Sequence, residues 1–165
     1  MGILDEAIAL EERAQEMYLE ASRKMTDPGA TMLTELLADE EEKHAAALRE
    51  MARDGAEMPE GLSLPSLLDE VRELIAVAAE GSGPTLFSDA SMREVLQRAM
   101  GVEQDMQRFY TQRAEEVEDP QLKELFTWLA EREQEHFLLA SSLHEYFDRP
   151  AEWVESAEFG LRPEY

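Results

Sequence analysis

The sequence predicts an all-α protein, a four-helix bundle made of two similar helical hairpins joined by a long connection. Apolar residues recur in alternating steps of three and four along four long segments, which is the spacing of an amphipathic helix. The eight glycines and seven prolines fall mostly in a few clusters, as expected for helices joined by discrete turns. With 165 residues, the chain suits one domain with a single core.

The second half of the chain repeats the first. The matched residues are Glu11 and Glu103, Tyr18 and Tyr110, Asp27 and Asp119, Glu41 and Glu133, and His44 and His136. Members of each pair lie 92 positions apart, as 103 − 11 and 110 − 18 both show. A repeat of this kind indicates that one helical hairpin occurs twice.

Each hairpin is expected to contain a long helix, an Asp-Pro break and a second long helix. The predicted helices are 3–26, 28–53, 90–118 and 120–147. Asp27 and Asp119 are suited to cap the second helix of their hairpins, and the prolines that follow suit the first helical position, where no N–H is needed.

The connection between the hairpins covers about 55–89. Glycines and prolines occupy both of its ends, and apolar residues at helical spacing between them predict a short extra helix: Leu67, Leu68, Val71, Leu74, Ile75 and Ala78. A long crossover is found in bundles whose two hairpins run in the same relative sense. We therefore expect a bundle over 1–148, with the tail 149–165 docking on it or on a second subunit.

Composition excludes several classes of function. The absence of cysteine rules out disulfides, iron–sulfur clusters and thiol catalysis, so a metal would need oxygen and nitrogen ligands. A formal charge of −23 disfavours nucleic acid and anionic membranes as partners. No segment approaches the roughly 20 apolar residues of a membrane span, and the N-terminus lacks the features of a signal peptide. A cytoplasmic protein is expected.

Six polar residues interrupt the apolar stripes that should face the core. They are Glu11, Glu41, His44, Glu103, Glu133 and His136. Buried carboxylates need a cation, and these stripes contain no lysine. Two divalent ions would balance four carboxylates, and Glu-x-x-His puts a carboxylate and an imidazole on one helix face, as in bundles that hold paired metals. The alternative is that these residues are surface charges.

Five neighbouring glutamates fall off the stripes and are expected on the solvated face: Glu12, Glu40, Glu42, Glu131 and Glu135. Glu40 lies four residues before His44 and competes with Glu41 as a ligand. Its repeat counterpart is Arg132, so the repeat selects Glu41.

Two tyrosines lie two turns beyond a candidate ligand on the same stripe. Tyr18 and Tyr110 are interpreted either as core aromatic residues or as residues that bond a ligand carboxylate or relay an electron. His144 has no repeat counterpart and is expected at the surface.

These motifs resemble the rubrerythrin and bacterioferritin branch of the ferritin-like superfamily, over roughly 3–54 and 90–147. The resemblance implies a ferritin-like bundle with two iron ions, bridged by Glu41 and Glu133, with Glu11 and Glu103 each capping one ion. Manganese or zinc would accept the same ligands. Rubrerythrins typically add a cysteine-bound iron domain and an extra carboxylate one turn from a ligand, whereas this chain has no cysteine and has Ala99, Met100 and Met106 near Glu103.

The resemblance implies an oxidoreductase of the rubrerythrin peroxidase or ferroxidase type. Such a protein would reduce peroxide or dioxygen, or oxidise ferrous iron, with electrons from a separate donor or from incoming ferrous ions. The alternative is a non-catalytic module for iron binding, delivery or storage. By analogy with related bundles, a homodimer is expected.

Overall fold

The computed structural model describes residues 2–54, 67, 71 and 90–148. Within them the chain forms four helices: α1 (Ile3–Ser22), α2 (Pro28–Asp54), α3 (Ala90–Glu116) and α4 (Pro120–Asp148). The described residues include no strand. The prediction of an all-α, ferritin-like four-helix bundle is confirmed.

The predicted N-caps form where the two hairpins turn. The carboxylate of Asp27 accepts a hydrogen bond from the backbone N–H of Ala30 at 2.9 Å. The carboxylate of Asp119 accepts hydrogen bonds from the N–H groups of Gln121 and Leu122 at 2.8 and 3.2 Å. Each aspartate thereby satisfies N–H groups that have no partner within the helix and fixes the start of α2 or α4.

The first helix is shorter than predicted, since α1 ends at Ser22 rather than at 26. After Ser22 the backbone tightens, and the N–H groups of Lys24 and Met25 bond carbonyls three residues earlier, at 2.9 and 3.1 Å. Such bonds commonly close the last turn of a helix. Pro28 then disfavours a helical conformation at Asp27, so a helix could not have continued across the break.

The core consists of two apolar clusters separated by a polar layer. α1 packs along α2, and α3 packs along α4. The first cluster includes Leu33, Leu37, Leu96, Leu139 and Leu143, and the second includes Leu48, Met106, Leu125, Phe126 and Leu129. Along α2, α3 and α4 the candidate ligands lie between members of the two clusters. The apolar residues therefore hold the polar layer on both sides.

Two predictions lie outside the described residues. They are the docking of the tail 149–165 and the extra helix of the connection, of which only Leu67 and Val71 are described. Both of these side chains are buried in the first apolar cluster. Among the described residues, no helix has the length and apolar character that crossing a bilayer requires.

Candidate metal centre

All six candidate ligands point into the bundle and are at most 1% exposed. α1 and α3 each contribute a glutamate, Glu11 and Glu103. α2 and α4 each contribute a Glu-x-x-His pair, Glu41 with His44 and Glu133 with His136. Because none of the six faces solvent, the alternative that they are surface charges does not describe this structure.

The six residues form two overlapping groups, and each group could hold one ion. The first group is Glu11, Glu41, His44 and Glu133, and the second is Glu41, Glu103, Glu133 and His136. Within each group, one potential ligand atom per residue lies within 4.8 Å of all the others. Glu41 and Glu133 belong to both groups, so these two carboxylates could be shared between two ions.

The geometry around the histidines follows the internal repeat. His44 Nδ1 lies 3.1 Å from Glu133 Oε1 and 3.5 Å from Glu11 Oε2. His136 Nδ1 lies 3.0 Å from Glu41 Oε1 and 3.7 Å from Glu103 Oε2. Each imidazole therefore lies closest to the shared glutamate of the other hairpin.

The ligand atoms approach one another without forming hydrogen bonds. Nine buried atoms of the centre have no hydrogen-bond partner among the described residues: Glu11 Oε2, Glu103 Oε2, both oxygens of Glu41 and of Glu133, both nitrogens of His44, and His136 Nδ1. Burying a polar atom without a partner costs free energy, and natural proteins rarely leave one in this state. Cations placed among these atoms would satisfy the carboxylate oxygens and one nitrogen of each imidazole, so the residues present fit a metal centre.

Tyr18 and Tyr110 each bond the candidate ligand of the opposite hairpin. The hydroxyl of Tyr18 donates to Glu103 Oε1, and that of Tyr110 donates to Glu11 Oε1. Burial and the adjacent carboxylates raise the pKa of both phenols, which keeps each hydroxyl protonated and able to donate. The bonds occupy one oxygen of each glutamate and leave Oε2 directed toward the centre.

In the metal-free protein, two of the four carboxyl groups have raised pKa values and the other two have lowered ones. Burial raises the pKa of Glu11 and Glu103, and the nearby shared carboxylates raise it further. Burial also acts to raise the pKa of Glu41 and Glu133, but the adjacent histidines outweigh it and the pKa is lowered. For both histidines burial acts to lower the pKa, and the surrounding carboxylates overcome it and raise the pKa. Binding of metal must therefore displace protons.

The prediction that Glu40 lies on the solvated face is wrong. Its side chain is buried, and a carboxylate oxygen lies within 4.8 Å of a ring nitrogen of both His44 and His136. Its position four residues before His44 indicated that it could lie near that histidine. The repeat favoured Glu41 instead, because the counterpart of Glu40 is Arg132. Of the other glutamates predicted on the solvated face, Glu12 and Glu131 are exposed, whereas Glu42 and Glu135 are half-buried.

Sequence analysis also missed Trp128. Its half-buried ring meets the ring of His44 edge-on, with centroids 5.4 Å apart, and the guanidinium of Arg132 lies 5.9 Å from its centroid. Leu36 occupies the matching position of the first hairpin, so the repeat gave no signal. His144, which was expected at the surface, is half-buried and belongs to none of the groups able to hold an ion that the described residues form.

The bundle and its buried carboxylate–histidine layer define a ferritin-like protein of the kind that carries metal between its helices. A model of the rubrerythrin family matches residues 2–144, and a second, overlapping match covers residues 94–157. The chain therefore belongs to the rubrerythrin family, whose members typically bind iron and have redox or iron-binding functions. No curated protein and no solved structure matches it significantly.

Proposed function

We propose that the protein binds two iron ions in the bundle and is a diiron oxidoreductase that reduces peroxide or dioxygen, or oxidises ferrous iron. The observation that supports this most directly is the pair of buried ligand groups sharing Glu41 and Glu133. The histidines and terminal glutamates complete one group each. Two metal ions held close together are a common arrangement in enzymes whose metals bind the reacting oxygen atoms.

The ligand chemistry supports iron as the resident metal. Four carboxylates offset the charge of two divalent ions, and two neutral imidazoles complete a set of oxygen and nitrogen donors. This set suits iron and manganese, and zinc can also occupy it. Membership of a family that typically binds iron favours iron among the three.

Bound iron would supply the redox chemistry at the O–O bond. The protein's own residues would fix the geometry. Glu41 and Glu133 set the spacing of the pair, while the tyrosine hydroxyls anchor Glu11 and Glu103 through one oxygen each. The apolar clusters on both sides exclude water from the layer. Since the chain has no cysteine to carry electrons, a separate donor or incoming ferrous ions would provide them.

Turnover distinguishes this proposal from an iron-binding or storage module. The protein is loaded with ferrous iron without oxygen and mixed with peroxide or with dioxygen, in the presence of a chemical reductant, while absorbance and oxidant consumption are followed. We expect many equivalents of at least one oxidant to be consumed per centre. A single stoichiometric oxidation with no further consumption of either oxidant would contradict an enzymatic role and support the module.

A matched pair of variants links turnover to the centre. Glu11→Gln removes a buried candidate ligand, and we expect it to lower turnover by about tenfold or more, because even residues that support a ligand are worth about that much. Glu12→Gln changes the charge equally at the next, exposed position and should leave turnover unchanged. Equal rates for the two variants would argue against Glu11 as a ligand.

A further inference from the structure

Glu40 is a buried acid that belongs to neither of the two ligand groups. It is 5% exposed, and one of its oxygens lies within 4.8 Å of a ring nitrogen of both His44 and His136. Lys43, one turn further along α2, donates to this carboxylate through Nζ. Because the Lys43 side chain is 39% exposed, the Glu40 carboxylate connects the histidines with a residue at the surface.

The histidine beside Glu40 has a nitrogen that the paired centre does not use. His44 Nδ1 lies 3.1 to 3.7 Å from Glu133, Glu11 and Glu41. The Nε2 atom at the other edge of the ring is buried, and no described residue forms a hydrogen bond with it. The rings of His44 and His136 stack with centroids 5.4 Å apart and an interplanar angle of 13°. Glu40 therefore lies near two adjacent imidazoles, and the Nε2 atom of His44 remains without a partner among the described residues, on the side away from the shared carboxylates.

The internal repeat indicates that Glu40 is not needed to complete the pair of ligand groups. Its counterpart 92 positions later is Arg132, and the counterpart of Lys43 is Glu135. Arg132 and Glu135 form an ion pair at 2.7 Å, so the second hairpin carries the same pair with the charges exchanged. The acid beside the histidines is thus present in the first hairpin alone, although the ligand groups themselves are symmetrical.

We propose that Glu40, with His44 and His136, forms a loading site that takes up ferrous iron and passes it to the paired centre. This inference rests on the proposed function, because it assumes a paired centre to be filled. An incoming divalent ion would displace Lys43 Nζ from the carboxylate and would gain a carboxylate oxygen and imidazole nitrogen as ligands. Such donors suit ferrous iron.

The loading site and the paired centre are used in sequence. A neutral imidazole has one lone pair, so each histidine binds either an ion at the loading site or an ion in the paired centre. An ion therefore moves inward when the inner carboxylates replace Glu40 as its ligands and a histidine binds it through the nitrogen that faces the centre, while the ring proton passes from that nitrogen to the one the ion has left. The chain should still bind two ions at saturation, and Glu40 should control how fast they enter.

The rate of metal uptake tests this inference without relying on redox activity. Cobalt(II) is mixed with the metal-free protein, and its absorbance in the protein site is followed by stopped flow. Glu40→Gln should slow uptake by about tenfold, since a charge in a buried entry route raises the local cation concentration by at least that factor. The final number of ions bound should remain two. Asp39→Asn, which changes an exposed carboxylate at the preceding position, should leave the rate unchanged.

A second pair of variants tests the role of Lys43. Lys43→Gln removes the cation that competes for Glu40 and should accelerate uptake. The control Arg49→Gln removes a positive charge from a half-buried position on the same helix and should not. If Glu40 served only to accept a hydrogen bond from a histidine, the Glu40 and Lys43 substitutions would not change the rate of metal uptake in opposite directions.

Three results would overturn the loading site. They are equal uptake rates for the Glu40 and Asp39 variants, loss of a bound ion in Glu40→Gln, and slower uptake in Lys43→Gln. Failure of the paired centre would be distinguishable, because the unmodified protein would then bind fewer than two cobalt ions whatever the rates.

Discussion

Replacing Glu41 and Glu133 together by glutamine is expected to reduce metal binding from two ions to at most one per chain. These two residues are the carboxylates shared by both ligand groups. An amide carries no charge and offers one good oxygen ligand in place of two, so it cannot bridge two ions. The double substitution also removes two of the four negative charges that balance the pair. Equilibrium dialysis followed by elemental analysis measures the number of ions bound.

The control for this variant changes the same charge outside the layer. Glu12→Gln with Glu131→Gln alters two exposed glutamates on the same bundle and should leave two ions bound. Retention of two ions by the Glu41 and Glu133 variant would contradict the assignment of bridging carboxylates. Loss of ions from the control would show that binding depends on general surface charge.

Metal loading is expected to stabilise the fold by about 4 kcal/mol per ion when the free metal is about a thousand times its dissociation constant. The reason is that the layer buries nine polar atoms that lack partners among the described residues. Denaturant unfolding with zinc, which has no redox chemistry, measures the gain. The Glu41 and Glu133 double variant should lose most of it, because its layer no longer holds the pair.

This stabilisation should weaken as the pH falls. In the metal-free protein the pKa values of Glu11, Glu103 and both histidines are raised, so protons compete with the metal at four of the six candidate ligands. The effect of metal is therefore full above these raised pKa values and is lost as the pH drops through them. Stabilisation that grows on acidification, or that is equal in the double variant, would contradict metal binding in the layer.

Much of the architecture could be predicted because the sequence of one hairpin is repeated in the other. Apolar spacing predicted the four helices, and the repeat selected Glu41 over Glu40 as a ligand and matched His44 to His136. The same spacing predicted that Tyr18 and Tyr110 face inward. It could not predict that each bonds the glutamate of the other hairpin, because a pattern along one helix contains no information about which residue lies opposite.

The burial of Glu40 and the packing of Trp128 on His44 could not be predicted for a related reason. Glu40 follows the helical stripe imperfectly, and its surroundings include His136 on α4, which the pattern along α2 does not reveal. Trp128 departs from the repeat, since its counterpart is Leu36. The repeat identifies the features that the two hairpins share. Features present in a single hairpin become apparent once the packing of the helices is known.

Anomalous diffraction from crystals of the iron-loaded protein would show directly whether the polar layer holds a pair of ions. We expect two iron peaks per chain, about 3.5 to 4 Å apart, both lying between Glu41 and Glu133. One peak should have Glu11 and His44 beside it, and the other Glu103 and His136. A single peak, or iron found only on the acidic surface while these six side chains remain without metal, would contradict the paired centre.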